Sequence, residues 1–449
     1  MSIGVAIVAV CLFMAYGVYS NCCSMTAKLD CYVQTYVDQG LFSGAVLVAK
    51  DGEILLCKAY GMANLGYDVP NKIDTKFRIA SISKSFTAMA IMKLQEMGLL
   101  DVQDLLTKYI SDYPNGDKIT IHHLLTHTSG IPNFLSSPEF SQKKSTKPHS
   151  LEQLVARFKN KPLDFNPGEK YSYCNSGYAL LAYIIEKASG ETYEAFLKEN
   201  IFDKLKMKDS GCFDNKRIIK NMASGYTVFE DGLGNSNYFD ASTLVGSGNL
   251  YSTVKDLYLL DRALYTDTLF SHQTLNKMFT PDKDNYGYGW VVYTSPYGKV
   301  IFHNGSSSGA KADFRRYVDC NFCTIVLSNF DNAPEGKIAE NLVKIVFGQK
   351  PEYPKKRTSI VVNPEVYNQY VGTYKAKVEN VLLAFVVTKE NDKLFVQDEK
   401  DKIEFCPEAE NEFFCKLMDL QVSFIKDSGK VTKLILHEGG QDIVAEKIK

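Results

Sequence analysis

The sequence predicts an α+β protein with a small β-barrel at its C-terminal end. Three observations carry that expectation. Strand-like runs stand on both sides of a mostly helical middle, turn residues separate the later runs so that antiparallel pairing follows, and residues 363–449 are a meander of short strands. Hydrophobic residues are 45% of the 449 and charged residues 23%, which suits a globular chain with a large core and two or three domains. A net charge of −1, with no basic patch interleaved with aromatics, gives no footprint for a nucleic-acid partner.

The elements follow in chain order. Residues 3–19 are almost wholly apolar and no charge occurs before Lys28, so residues 1–24 are expected to be a signal peptide or membrane anchor, and the protein to be exported. After a short linker, runs 44–48 and 54–57 flank Asp51-Gly52, a hairpin signal. Polar and turn residues 70–76 lead to Ser81. There Ile82, Phe86, Met89, Ala90, Leu94 and Met97 form an apolar stripe closed by Gly98, so Ser81 lies at a helix N-terminus with Lys84 one turn on.

Further helices are expected near 151–158, over the stretch carrying Leu180, Leu181, Ile184 and Ile185, and at 193–205 and 252–264. His123 and His127 have helical i, i+4 spacing, but no glutamate or third ligand completes a metal motif, so they read as structural. Strands are expected at 286–293, 299–303, 312–317 and 323–327, and a closing helix at 338–347. Cys320 and Cys323 have the spacing of half a zinc site, without a second pair. Residues 350–362 read as a linker between a domain over 25–349 and the barrel over 363–449.

A serine at a helix start receives free N–H groups and the positive end of the helix, and a desolvated lysine one turn away can take its proton. Ser-x-x-Lys by itself is cheap: the chain has it at Ser81, Ser141, Ser252, Ser308 and Ser423. Tyr173-Cys174-Asn175 adds a phenol and an amide on one short loop before a helix. His303-Asn304-Gly305 ends a strand, where a small residue lets a substrate approach the backbone and the N–H of Ser306 could join that of Ser81 as an oxyanion hole.

Helix-opening Ser-x-x-Lys, loop Tyr-x-Asn and strand-end His-x-Gly in that order resemble the serine β-lactamase and penicillin-binding-protein superfamily, in its class C-like esterase and peptidase branch. Residues 124–130 (Leu-Leu-Thr-His-Thr-Ser-Gly) and 286–290 (Tyr-Gly-Tyr-Gly-Trp) strengthen the likeness, which spans residues 41–346. The tail resembles the lipocalin-like domain of some members. The resemblance implies an antiparallel sheet built from both ends of the hydrolase region, flanked by helices, with an all-helical subdomain. It also implies Ser81 as acylated nucleophile, Lys84 as base, Tyr173 as proton relay, and Asn175, His303, Asn304, Gly305 and Ser306 around the substrate. No cofactor or metal is implied. A small-molecule or peptide substrate is, with ester, amide or peptide hydrolysis ahead of β-lactam or D-alanyl-D-alanine cleavage. A non-turning-over acyl sensor or an oligomeric scaffold is the reading from outside enzymology, and a homo-oligomer is compatible with either.

Where β-lactamases and DD-peptidases usually carry lysine in the third motif, this chain has His303. That favours substrates without a carboxylate to bind, unless Lys311, Arg315 or Arg316 restores the charge.

Overall fold

The computed structural model describes residues 24–136, 146–229, 232–355, 357–378, 381–398, 402–415, 420–438 and 441–448. The apolar stretch 3–19 and the Ser141 motif lie outside them. The chain divides into two compact units, one made of the residues up to Thr227 with Asn235–Glu352, the other of Val228–Gly234 with Tyr353–Lys449.

The first unit is built on a six-stranded antiparallel sheet. Its strands are β1 (Gly44–Lys50), β2 (Glu53–Tyr60), β3 (Val291–Ser295), β4 (Gly298–Ser307), β5 (Ala310–Tyr317) and β6 (Phe322–Ser328), in the order β3-β4-β5-β6-β1-β2. The expected joining of the two ends occurs between β1 and β6, from Gly44 opposite Ser328 to Lys50 opposite Phe322. Asp51 and Gly52, both at positive φ, turn β1 into β2.

Both faces of this sheet are covered, which explains why β1 reads as an unbroken apolar run rather than an alternating one. Ala45, Leu47 and Ala49 pack with Ile325 and Leu327 into the larger core, against α2 (Ser83–Glu96), α3 (Asn175–Ser189) and α4 (Val254–Ala263). Val46 and Val48 point the other way, to Leu29, Tyr32 and Val33 of α1 (Met25–Val37) and to Ile338 and Leu342 of α5 (Glu335–Val346). Each such side chain removed from water contributes about 1.5–3 kcal/mol.

Helix α1 corrects the sequence reading, which placed a linker there. Its stripe Leu29, Tyr32, Val33 and Tyr36 has helical spacing, and Ser24 caps it by accepting from the N–H of Ala27. Two other helices differ from expectation. The segment 193–205 is broken into Tyr193–Leu197, a π-turn Lys198–Phe202 and Asp203–Leu205. The helix carrying His123 stops at Leu125, and His127 takes φ +59°, so the two histidines do not share a helical face.

In the second unit, eight antiparallel strands close a barrel that runs from Gly372–Val378 to Gln441–Lys447, with Tyr374 opposite Lys447 at the closure. Its interior is filled. The ring of Tyr370 stacks on Phe424 at 4.3 Å, and Tyr374, Phe405, Phe413 and Val422 complete the core. No helix among the described residues is long and apolar enough to cross a membrane.

Candidate active site

Ser81 lies in a single 3₁₀ turn, Ala80–Ile82, that runs directly into α2. Ala80 has φ +45°, a conformation that costs an L-residue about 1–2 kcal/mol. The turn is held against that strain from two sides. Ile79 N–H donates to the carbonyl of Leu250 at 3.0 Å, and Ser83 Oγ accepts from Leu250 N–H at 3.0 Å. Strand β4 then presses on it from above: a Cβ at Gly305 would stand 2.2 Å from the Ile79 carbonyl oxygen and 3.0 Å from Ser81 N. Glycine is therefore demanded at Gly305 by close approach. Ser306, the next residue, is exposed.

Lys84 is wholly buried, one turn along α2. Its ammonium donates to Ser81 Oγ at 3.1 Å, to Asn175 Oδ1 at 2.8 Å and to the Ser247 carbonyl at 2.7 Å. The rings of Tyr173 and Tyr178 lie 4.7 and 5.6 Å from it. Burial pulls its pKa down to about 7. Three acceptors and two aromatic faces thus hold a group that sheds its proton near neutrality.

Tyr173 and Asn175 come from the start of α3. Asn175 is its first residue, and its N–H and side-chain amide both reach Asn133 Oδ1 at 3.3 Å. Burial raises the pKa of the Tyr173 phenol, and a hydrogen bond with Ser81 opposes that shift, so the phenol is neutral and able to donate. Cys174, at the centre of the motif, points into the core and donates its thiol to the Ile131 carbonyl at 3.1 Å.

His303 is 2% exposed. Its Nδ1 lies 2.7 Å from the Asn304 carbonyl oxygen, which only accepts, so Nδ1 carries the proton. Nε2 then accepts from the Tyr286 hydroxyl at 2.9 Å. Burial, followed by the nearby Lys84 cation, lowers the His303 pKa to about 3. This residue is neutral, with both ring nitrogens engaged.

The three cations named as substitutes for the missing lysine are committed elsewhere. In β5 the side chains alternate, so Lys311 and Arg315 lie on the sheet face away from Phe314, the residue opposite His303. Arg315 pairs with Asp313 at 2.9 Å and with Glu340 at 2.8 Å. Arg316 shares the face of Phe314 but is buried against Asp261 at 2.7 Å. Asn304 is exposed and sits opposite Asp313, on the face away from His303.

The other described Ser-x-x-Lys copies make different bonds. Ser252 meets Ser210 at 2.8 Å, Ser308 donates to the Asn237 carbonyl at 3.3 Å, and Lys426 pairs with Glu410. Ser423 is the instructive case, because His437 Nε2 lies 2.8 Å from its Oγ and His437 Nδ1 lies 2.7 Å from Asp442. This is a Ser-His-Asp array, but the Ser423 hydroxyl donates to Glu412 Oε2 at 2.6 Å. Its only proton is already held by a carboxylate, and the serine is not poised to pass it to the imidazole.

Sequence reasoning passed over Asn133, the Ser247 carbonyl, Tyr178 and Tyr286. Nothing in the local pattern around Asn133 or Ser247 marks them. Tyr286 lay within the Tyr-Gly-Tyr-Gly-Trp phrase, without a role.

A family model described as Beta-lactamase matches residues 29–346. The chain is 32% identical to Penicillin-binding protein 4* of Bacillus subtilis (strain 168), over 94% of this chain and 98% of that one. It is 27% identical to the Teichoic acid D-alanine hydrolase of Staphylococcus aureus (strain MRSA252), over 58% of this chain and 65% of that one. Among solved structures, the octameric penicillin-binding protein homologue from Pyrococcus abyssi superposes with a TM-score of 0.66 at 26% identity, covering 93% of this chain and 99% of that one.

Proposed function

The chain belongs to the beta-lactamase family and is a serine hydrolase of that fold, and from that premise we propose that Ser81 is the acylated nucleophile, with Lys84 as its base and Tyr173 as its proton relay. The observation that carries this is the set of three acceptors around Lys84 Nζ. When the ammonium loses a proton, Asn175 Oδ1 and the Ser247 carbonyl still require N–H donors. The lone pair is therefore directed at Ser81 Oγ, 3.1 Å away.

Ser81 Oγ attacks the substrate carbonyl and its proton passes to Lys84. The N–H groups of Ser81 and Ser306 take the oxyanion. Tyr173, neutral through burial, gives its proton to the leaving group and regains one from Lys84. Water then attacks the acyl-enzyme, its proton returns through Tyr173 and Lys84, and Ser81 is released. Asn175, His303 and Gly305 shape the cleft around these atoms, while the Asn304 side chain lies on the other face of β4.

A buried, neutral His303 offers no cation to a substrate carboxylate, which supports esters, amides or peptides uncharged at that end. A D-alanyl ester or amide is the substrate class we favour, in line with the D-alanine hydrolase relative. The penicillin-binding relative favours a second reading, acylation by a β-lactam or by a D-alanyl-D-alanine end. The apolar stretch 3–19 supports export, and the octameric homologue supports a homo-oligomer.

The test is a panel of p-nitrophenyl esters, D-alanyl anilides and nitrocefin, run on the wild type and Ser81→Ala. Turnover of ester or anilide by the wild type alone is expected. A stoichiometric burst without turnover would make the protein an acyl-binding sensor, and nitrocefin turnover would move the assignment to a β-lactamase. Equal activity of Ser81→Ala would overturn the nucleophile.

A further inference from the structure

Tyr173 makes the most exacting demand in the scheme above, since its hydroxyl must serve Ser81 and the leaving group in turn. Yet it stands on a loop, two residues before the first residue of α3. The atoms that hold it there come mainly from one residue. The carbonyl of His127 accepts from Ser172 N–H at 2.9 Å, and Nδ1 of the same histidine accepts from Cys174 N–H at 3.0 Å. These two bonds grip the residues on either side of Tyr173. The imidazole also lies against the phenol ring, with centroids 4.4 Å apart. Lys84 Nζ lies 4.7 Å from the centroid of the same phenol ring.

His127 is unusual in its own right. It is 1% exposed and adopts φ +59°, so the backbone reverses in order to present both its carbonyl and its ring to one neighbouring strand of chain. Since Nδ1 accepts, the proton of the neutral ring is on Nε2, and that nitrogen has no hydrogen-bond partner. The rings of Tyr286 and Tyr178 lie 4.6 and 5.0 Å away, so the imidazole sits in an aromatic cage. A structural histidine held only for packing would need neither the strained backbone nor the orphaned Nε2–H. An imidazolium could not accept from Cys174. Burial and the neighbouring Lys84 cation keep the ring neutral, consistent with that bond.

We propose that His127 is the positioning residue for Tyr173: its carbonyl and its Nδ1 clamp residues 172 and 174, and its ring packs against the phenol that Lys84 also contacts. The proposal rests on the role given above to Tyr173, and it adds a residue that touches neither substrate nor Ser81.

The distinguishing substitutions are His127→Asn and His127→Gln. Asparagine places Oδ1 where Nδ1 stands and tolerates positive φ, whereas glutamine carries its amide one bond further out. With a p-nitrophenyl ester, His127→Gln is expected to lower kcat at least 30-fold with KM within about 3-fold, and His127→Asn to recover kcat to within about 5-fold of wild type. In a Tyr173→Phe background, His127→Gln is expected to cost less than 3-fold more, because its effect acts through the phenol. Fluorophosphonate labelling of Ser81 reports whether each variant is folded and its nucleophile accessible.

Equal losses in the Asn and Gln variants, or a full His127→Gln loss in the Tyr173→Phe background, would overturn the proposal in favour of simple packing. Should His127→Gln not fold, the Asn variant decides alone: a kcat within 5-fold of wild type supports the clamp, and a loss equal to that of Tyr173→Phe refutes it. An active Ser81→Ala enzyme would instead refute the underlying mechanism, leaving the two failures distinct.

Discussion

Lys84 Nζ stands 2.8 Å from Asn175 Oδ1, so the amide at the start of α3 holds the cation near the start of α2. Two distant segments thus meet at this ammonium, and its burial sets the pH at which it sheds its proton. Lys84 must be neutral to accept a proton, and its pKa is lowered to about 7. Activity is thus expected to be low where the ammonium persists and to rise with pH. The log of kcat/KM for an uncharged ester should fall with unit slope below about pH 7 and flatten above it. A profile flat down to pH 5 would remove Lys84 as the base.

Replacing Asn175 by Ala removes one of the two acceptors that direct the lone pair. We expect kcat to fall by roughly 10²-fold, the scale of a lost general-base contribution, while the protein still folds. Stopped-flow acylation with a chromogenic ester checks it, because the loss should appear in the acylation step.

Gly305→Ala tests the contact between β4 and the turn that carries Ser81. Its Cβ would fall 2.2 Å from the Ile79 carbonyl, so β4 must move away from Ser81 or the turn must shift. A loss of activity of about 10²-fold is expected from such a displacement of an oxyanion donor. It should come with a stability loss of about 1–3 kcal/mol in denaturant unfolding.

Tyr286→Phe deletes the hydroxyl that donates to His303 Nε2 and leaves a buried acceptor empty. An expected destabilisation of about 1–3 kcal/mol follows from that unmet bond. Thermal unfolding of the variant beside the wild type measures it.

Asp261→Asn addresses stability remote from the chemistry. Asp261 is fully buried and holds both Arg316 and Arg262. Removing its charge leaves the Arg316 cation buried without compensation, a change worth about 3–5 kcal/mol. Unfolding experiments should register that loss, with kcat per folded molecule little changed.

The sequence alone was enough for the helix-opening turn at Ser81, the hairpin of β1 and β2, the α+β class and the C-terminal barrel. These follow from local periodicity and turn chemistry, which short stretches of chain carry themselves. Helix α1 is legible in the helical spacing of Leu29, Tyr32, Val33 and Tyr36, which a linker reading of that stretch leaves unused. What tertiary structure alone decided is the electrostatics around Ser81. Lys84 is held buried because Asn175 and Ser247, 91 and 163 residues further along the chain, supply its acceptors, and that burial lowers its pKa. His303 is neutral because burial and the nearby Lys84 make it so, and Arg316 is unavailable because Asp261 holds it. Burial and long-range hydrogen bonds are properties of packing, and no local pattern of residues encodes them.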